Sequence, residues 1–238
     1  MISIVVAVRN EEKALPGTLA SLGRYAGPRE LIVADDHSTD GTVAAARRLA
    51  DAVVENPSPD RITIAANRDA GAARAKGEYL VFADADTSVA DADEFFGRAL
   101  ARFEKDPKLV ALTFFNRFRP PLETVADRVF LWYFNWMTLL VNLLGFGSCA
   151  GRLHMIRTDA FRAVGGYDPK LVASEDVDLF HRLARRGRTR SARAPAVYHS
   201  GRRQHALGWP RLIWQWTVNT LGALALRKSA SPEWKEIR

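Results

Sequence analysis

Tyr79-Leu80-Val81-Phe82-Ala83-Asp84-Ala85-Asp86 decides the fold: five apolar residues run straight into two carboxylates one residue apart. A short continuous apolar run of this kind reads as a buried strand. Open α/β sheets bind their ligands beyond the carboxyl ends of their strands. Asp84 and Asp86 are therefore expected at a binding edge. Their hard oxygens suit Mg²⁺ or Mn²⁺ holding a diphosphate. An Asp-x-Asp pair taken alone reads equally well as two solvated loop carboxylates, so the neighbouring sequence has to decide.

Upstream of that strand, strand and helix signals alternate. Residues 2–8 form a β-branched run, and 15–25 carry a helical pattern. Residues 30–34 are a second strand, and a helix over 42–50 follows, capped by Asp40 or Thr39. Residues 52–54 and 62–64 are short strand candidates. Residues 69–76 are alanine-rich and helical, with Gly77 as their stop. Repeated βα units predict a mostly parallel, Rossmann-like central sheet flanked by helices, an α/β fold.

Downstream, a helix over 91–105 ends before Pro107, and a strand over 110–118 is broken by Pro120-Pro121. A strand over 153–156, a helix over 176–185 capped by Ser174 and stopped by Gly187, and a strand over 196–199 complete the pattern. No repeat or linker intervenes. We expect one domain over 1–205, with halves 1–105 and 106–205, and an amphipathic helical extension over 206–238.

The chain has 238 residues, 47% hydrophobic and 26% charged, which fits a globular protein with a sizeable core. Cys149 is the one cysteine, so an internal disulfide is excluded and a reducing compartment is expected. The apolar start lacks a basic leader and a cleavage site, and reads as a strand. The net charge of +7 is uneven: no Asp or Glu occurs between Leu179 and Pro232, where eleven Lys or Arg residues fall. Such an end either attracts an anionic surface or phosphorylated ligand or is simply a solvated face.

Residues 129–151 hold no charged side chain. A bilayer span needs about 20 apolar residues. Asn135 and Asn142 interrupt the segment and glycines crowd its end, which argues against a span. A core helix, an acceptor groove and a membrane-interfacial helix rich in aromatics all remain open. Trp209, Trp214 and Trp216 give the tail a similar interfacial character.

A second acidic segment, Asp35-Asp36-His37-Ser38-Thr39-Asp40-Gly41-Thr42, follows the second strand. Asp40 and Thr42 suit capping, and Asp36 suits ligand binding. His37 reads as a surface turn residue; His154, His181 and His205 lack partner spacing and read as structural or exposed. Taken in order, Ala7-Val8-Arg9-Asn10-Glu11, the 35–42 segment, Arg68-Asp69-Ala70-Gly71, Asp84-Ala85-Asp86, Gly165-Gly166-Tyr167-Asp168 and Ser174-Glu175-Asp176-Val177-Asp178 resemble the ordered signature of family 2 glycosyltransferases with the GT-A fold. The resemblance covers roughly residues 2–200.

That resemblance implies inverting transfer of a sugar from a nucleotide-diphosphate sugar, with a UDP-sugar favoured, to a hydroxyl of a glycan or of a lipid-linked acceptor. It implies Mg²⁺ or Mn²⁺ as cofactor. By motif, Ala7, Arg9 and Glu11 line the nucleotide pocket, Asp36 reads the base, and Arg68 lies near the base or diphosphate. Asp84 is shared between ribose and metal, Asp86 and His199 bind metal, Glu175 belongs to the donor site, and Asp176 is the general base. Asp69 stands where the family usually has Asn, and Ala7 where Pro or Thr is common, which leaves base selectivity open. The expected location is cytoplasmic, with peripheral contact to an anionic membrane and no nucleic-acid partner. The competing expectation is a non-catalytic nucleotide-sugar or glycan-binding protein of the same fold. If residues 129–151 crossed a bilayer, Asp86 and Asp176 would lie on opposite sides, so the enzyme reading requires that they do not.

Overall fold

A computed structural model describes residues 1–120, 123–226 and 228–231. Strand β1 (Ile2–Val8) is buried along its whole length, as its nearly continuous apolar sequence requires, with Ser3 buried and hydrogen-bonded. Parallel neighbours flank it: β2 (Arg29–Asp35) on one side and β4 (Tyr79–Ala83) on the other. Beyond β2 lies β3 (Ala52–Glu55), also parallel. Beyond β4 come β6 (Leu153–Arg157), β5 (Leu109–Phe118) and β7 (Arg188–His199). The order is β3-β2-β1-β4-β6-β5-β7, and only β6 runs against its neighbours.

Helices cover both faces. Ile4, Val6 and Val8 of β1 pack with Leu15 and Leu19 of α1 (Leu15–Leu22), Ala46 of α2 (Thr42–Leu49), and Phe95, Phe96 and Phe103 of α4 (Ala92–Lys105). On the opposite face, Val5, Leu80 and Phe82 meet α3 (Ile64–Arg74), α6 (Thr158–Ala163) and α7 (Glu175–Ala184). Phe82 anchors that layer, 5.3 Å from Phe161 and 5.1 Å from Tyr167 between ring centroids. A long helix α5 (Val125–Leu143), a short α8 (Arg202–Leu207) and α9 (Trp209–Leu226) complete the chain.

Several local expectations are corrected. Residues 62–64 are not a strand: the Thr63 hydroxyl accepts from the Ala66 amide and caps α3, which begins at Ile64 rather than Asp69. Helix α3 ends at Arg74, before Gly77. Gly77 serves close approach instead, since a Cβ there would lie 2.7 Å from the Ser3 amide nitrogen. Asp40 accepts from the Thr42 amide, but Gly41 occupies the N-cap position of α2. Ser174 precedes α7 in a left-handed conformation (φ 62°) and does not cap it; its hydroxyl meets Thr220 at 3.1 Å. Strand β7 starts at Arg188, eight residues before the expected 196. Of the Pro120-Pro121 pair, Pro121 lies outside the described residues, as do 227 and 232–238 of the expected extension.

Among the described residues, no helix is long and apolar enough to cross a membrane. Residues 129–143 belong to α5, and the two asparagines there face inward. The Asn135 side chain pairs with both backbone groups of Asn116 on β5, at 2.9 and 3.0 Å. Asn142 donates to the Ser148 carbonyl at 2.7 Å. Polar residues thus hold α5 to the sheet.

Candidate active site

The parallel strands β1, β2 and β4 end on one edge, and chain direction across the sheet reverses beside them, the usual ligand-binding crevice of such folds. Ala7 is buried in β1; Arg9, Asn10 and Glu11 follow its end. The Asn10 carboxamide oxygen accepts from the Thr39 amide at 2.6 Å, and the Glu11 amide donates to the Thr42 hydroxyl at 2.8 Å. These bonds stitch the loop after β1 to the loop after β2. Asn67 adds a further tie, donating from its side chain to the Ala34 carbonyl at 2.9 Å.

Asp36 is buried and accepts from the Asn56 side chain at 2.9 Å and the Ile62 amide at 3.3 Å. These bonds face it toward the 56–62 segment rather than the Asp84–Asp86 pair. His37 holds the same segment: its Nε2 lies 2.7 Å from the Ser58 carbonyl oxygen.

The densest part of the site joins three expected residues, with Arg68 between Glu175 and Asp84. Its buried guanidinium donates to Glu175 at 2.7 Å and to Asp84 at 2.8 Å. Arg152 takes the other Asp84 oxygen at 3.0 Å. Asp84 therefore lies between two guanidinium groups. Asp86 accepts from the Ser200 hydroxyl and lies 3.7 Å from Arg202. Arg202 in turn donates to Glu11 at 2.8 Å, so one arginine ties the ends of β1 and β4. Burial works to raise the Asp86 carboxyl, but Arg152, the Ser200 hydroxyl and Arg202 together hold it down at about 2. Glu11 moves the other way: burial raises it, against the opposing Arg202.

Asp176 opens α7 beside Glu175. Burial pushes its carboxyl up to about 7, with the Glu175 charge adding to the rise and Arg68 opposing it. Like-charge repulsion from Glu175 is thus secondary to desolvation. Gly151 leaves space in front of this acid, since a Cβ there would lie 3.1 Å from Asp176 Oδ2. Asp69, which departs from the expected Asn, accepts from the Tyr167 amide at 3.0 Å and fastens the Gly165-Gly166 turn. It serves the fold there.

His199 is buried against the Phe118 ring, 4.6 Å away between centroids. Its Nδ1 accepts from the Gly201 amide, and its Nε2 is buried without a hydrogen-bond partner. Burial, reinforced by Arg152, lowers its imidazole to about 3, so it is neutral. With Nδ1 accepting from Gly201 the neutral ring carries its proton on Nε2. The Asp84 and Asp86 carboxylates suit a divalent cation as they stand, and His199 Nε2 would join them only once its proton moves to Nδ1 and the Gly201 bond is given up. Among the described residues no three such side chains already converge to hold a metal.

The sequence reading missed Arg152, Ser200 and Arg202, which surround the two carboxylates. Ser200 and Arg202 follow His199 immediately, which was the available signal; Arg152 had none. His205, read as unpartnered, meets Asp127 at 3.0 Å. His154 meets the Tyr167 hydroxyl at 2.6 Å, and His181 Nδ1 lies 2.9 Å from the Phe146 carbonyl oxygen.

Comparison with known proteins places this geometry. The profile named "Glycosyl transferase family 2" matches residues 3–165. The succinoglycan biosynthesis protein ExoA of Rhizobium meliloti is 30% identical over 205 residues, covering 77% of this chain and 58% of ExoA. The mannosyltransferase PcManGT of Pyrobaculum calidifontis, solved with GDP-Man and Mn²⁺, superposes with a TM-score of 0.75 at 20% identity, covering 97% of this chain and 65% of that one. Glucosyl-3-phosphoglycerate synthase of Mycobacterium tuberculosis, solved with Mn²⁺, UDP and phosphoglyceric acid, gives a TM-score of 0.65 at 19% identity, over 95% and 78% of the two chains. At these identities the two structures show the shared fold, and the chain spans little more than half the length of ExoA.

Proposed function

The chain belongs to glycosyl transferase family 2, and on that premise we propose that it moves a sugar, with inversion, from a nucleotide-diphosphate sugar to an acceptor hydroxyl. The observation that carries this reading is Asp176, a buried acid poised at about 7 and joined through Glu175 and Arg68 to the Asp84–Asp86 edge. A general base works best with a pKa near the operating pH.

In this reading residues 1–105 hold the donor and 106–205 the acceptor. Ala7, Arg9 and Glu11 line the nucleotide pocket, and Asp36 reads the base, with uracil favoured. Asp84 serves the ribose and metal, and Glu175 positions Arg68. The acceptor oxygen attacks the anomeric carbon while Asp176 takes its proton. The bond from that carbon to the diphosphate oxygen breaks, and the nucleoside diphosphate leaves with the electron pair. Arg68, Arg152 and Arg202 already crowd the carboxylates and are placed to meet the phosphate oxygens. Asp86, Asp84 and His199 would hold Mg²⁺ or Mn²⁺, which when bound supplies Lewis-acid stabilisation of the leaving diphosphate. The Mn²⁺ in both solved relatives supports that choice, as their GDP-Man and UDP support a nucleotide donor. The acceptor is a glycan or lipid-linked hydroxyl, and the chain works at the cytoplasmic face of an anionic membrane as a peripheral protein.

Transfer assays with UDP-, GDP- and dTDP-sugars, with and without Mn²⁺ or Mg²⁺, test this. We expect metal-stimulated turnover of one donor class and loss of that stimulation in Asp86→Asn. Turnover equal in chelator and in metal would remove the metal assignment.

A further inference from the structure

We propose that the outward face of α5, continued by α9, is the surface that seats this chain on an anionic lipid bilayer. The inference deepens the peripheral-membrane reading above and rests on it. Its starting point is an outward apolar stripe. A surface helix of a water-soluble fold normally turns its apolar stripe inward and its polar residues to solvent. Helix α5 departs from that pattern. Asp127, Asn135, Thr138 and Asn142 are buried against the fold beside Leu131, with Phe130 and Phe134 partly buried, while Val129, Tyr133, Met137, Leu140 and Leu144 are exposed at steps of three or four residues. Trp132, beside Tyr133, is 64% exposed, and Phe146, just past the helix, 61%. A contiguous exposed apolar stripe marks an interaction surface.

Helix α9 extends the stripe. Phe130 stacks on Trp209 at 4.9 Å and Phe134 meets Trp216 at 5.2 Å, which sets the two helices side by side. Trp214, 71% exposed, and Leu221, 62% exposed, face outward from α9.

Charge selects the occupant. Arg128, Arg193 and Arg211 are exposed on and beside these helices, and Arg193 lies over the Trp136 ring at 5.0 Å. The chain has no Asp or Glu between Arg128 and Thr158, nor between Leu179 and Ser231. A second copy placed on this face by two-fold symmetry would set arginine rim against arginine rim. An anionic bilayer is complementary to it: each basic residue near such a surface improves partitioning by roughly fivefold. Trp, Tyr and Phe among aliphatic side chains, rimmed by arginine, match the headgroup boundary. No described helix can cross, so the chain lies on the bilayer rather than through it. The stripe also leads to the site. It ends at Phe146, and the following loop reaches Gly151, which lies against Asp176.

Co-flotation with phosphatidylcholine vesicles, with and without phosphatidylglycerol, tests the assignment. The parent should float with the anionic vesicles and dissociate in high salt. Trp132→Ser/Leu140→Ser/Leu144→Ser should weaken partitioning by at least about tenfold, and Arg128→Glu/Arg193→Glu/Arg211→Glu should abolish the salt-sensitive part. All six substitutions are at solvent-facing positions, and an unchanged far-ultraviolet circular dichroism spectrum confirms folding. Leu49→Ser, an exposed apolar position on α2, should float as the parent does. Hydrolysis of soluble donor should be unchanged in the α5 variant, which separates this test from the catalytic reading. If the parent floats and the α5 variant floats equally well, the surface is misassigned while membrane contact stands. If the parent floats with neither vesicle, membrane contact and surface fall together. If sedimentation shows a dimer that the α5 variant dissolves and no vesicle binding, the occupant is a second copy and the proposal is overturned.

Discussion

As the proposed base, Asp176 would carry two opposed requirements, ionising to accept a proton and remaining buried where ionisation is unfavourable. The structure reconciles them at about 7. The rate with saturating donor should therefore rise with pH through about 7 and level off above it. Asp176→Asn should lower kcat by roughly 10²–10⁴-fold and leave a flat profile; a surviving inflection near 7 would point to another base. Stability moves in the other direction. A carboxyl raised in the folded state costs nothing below its unfolded value near 3.8 and costs progressively more as pH climbs to the folded value. Asp176→Asn should thus raise the melting temperature relative to the parent at pH 8, with the difference vanishing near pH 4. At this scale the position of Asp84 and Asp86 at a strand end was legible from local order, while Glu175 and Asp176 entered through the family resemblance. Arg152 was not, because its partner Asp84 lies 68 positions away.

Among the elements, α5 shows how far local pattern can mislead. From residue 129 onward its sequence is uncharged and reads as core or interface; the packing turns Asn135, Thr138 and Asn142 inward beside Leu131 and leaves an apolar stripe exposed. Asp127 is the clamp at its start. The carboxylate accepts from the Thr124 amide at 2.9 Å, from Trp209 Nε1 at 2.7 Å and meets His205 at 3.0 Å. Burial works to raise its carboxyl, and the Thr124, His205 and Trp209 bonds outweigh it, holding the group at about 2. Asp127→Ala should destabilise the fold by about 2–4 kcal/mol, read by urea unfolding. A depressed carboxyl gives stability that is complete above about 3.8 and lost as pH falls toward 2. The parent's advantage over the variant should shrink across that window. Helix α3 was mistaken in the opposite sense. Its β-branched start over 62–64 reads as a strand by composition, but Thr63 spends its hydroxyl on a cap.

For the whole molecule, donor binding should report on the assembled edge. On the proposed reading a nucleoside diphosphate with Mn²⁺ would bind only the folded chain, so at a hundred times its Kd it should add about 2.7 kcal/mol of stability. Differential scanning fluorimetry should show that rise for the parent and a much smaller one for Asp86→Asn; an equal rise in both would mean the edge is not the binding site. The sequence by itself determined the mostly parallel α/β architecture, the strand end that carries Asp84 and Asp86, and, through its ordered motifs, the resemblance to a family, because strand burial and turn chemistry are set by neighbouring residues. Only the tertiary structure decided which cations surround Asp84 and Asp86, how strongly Asp176 is desolvated, and which way α5 faces. Those depend on side chains brought together from distant positions, and on the exclusion of water by the packed whole, neither of which is written in local order. Asp84-Ala85-Asp86 could be placed at a sheet edge from its own neighbourhood; that it sits among Arg68, Arg152 and Arg202 could not.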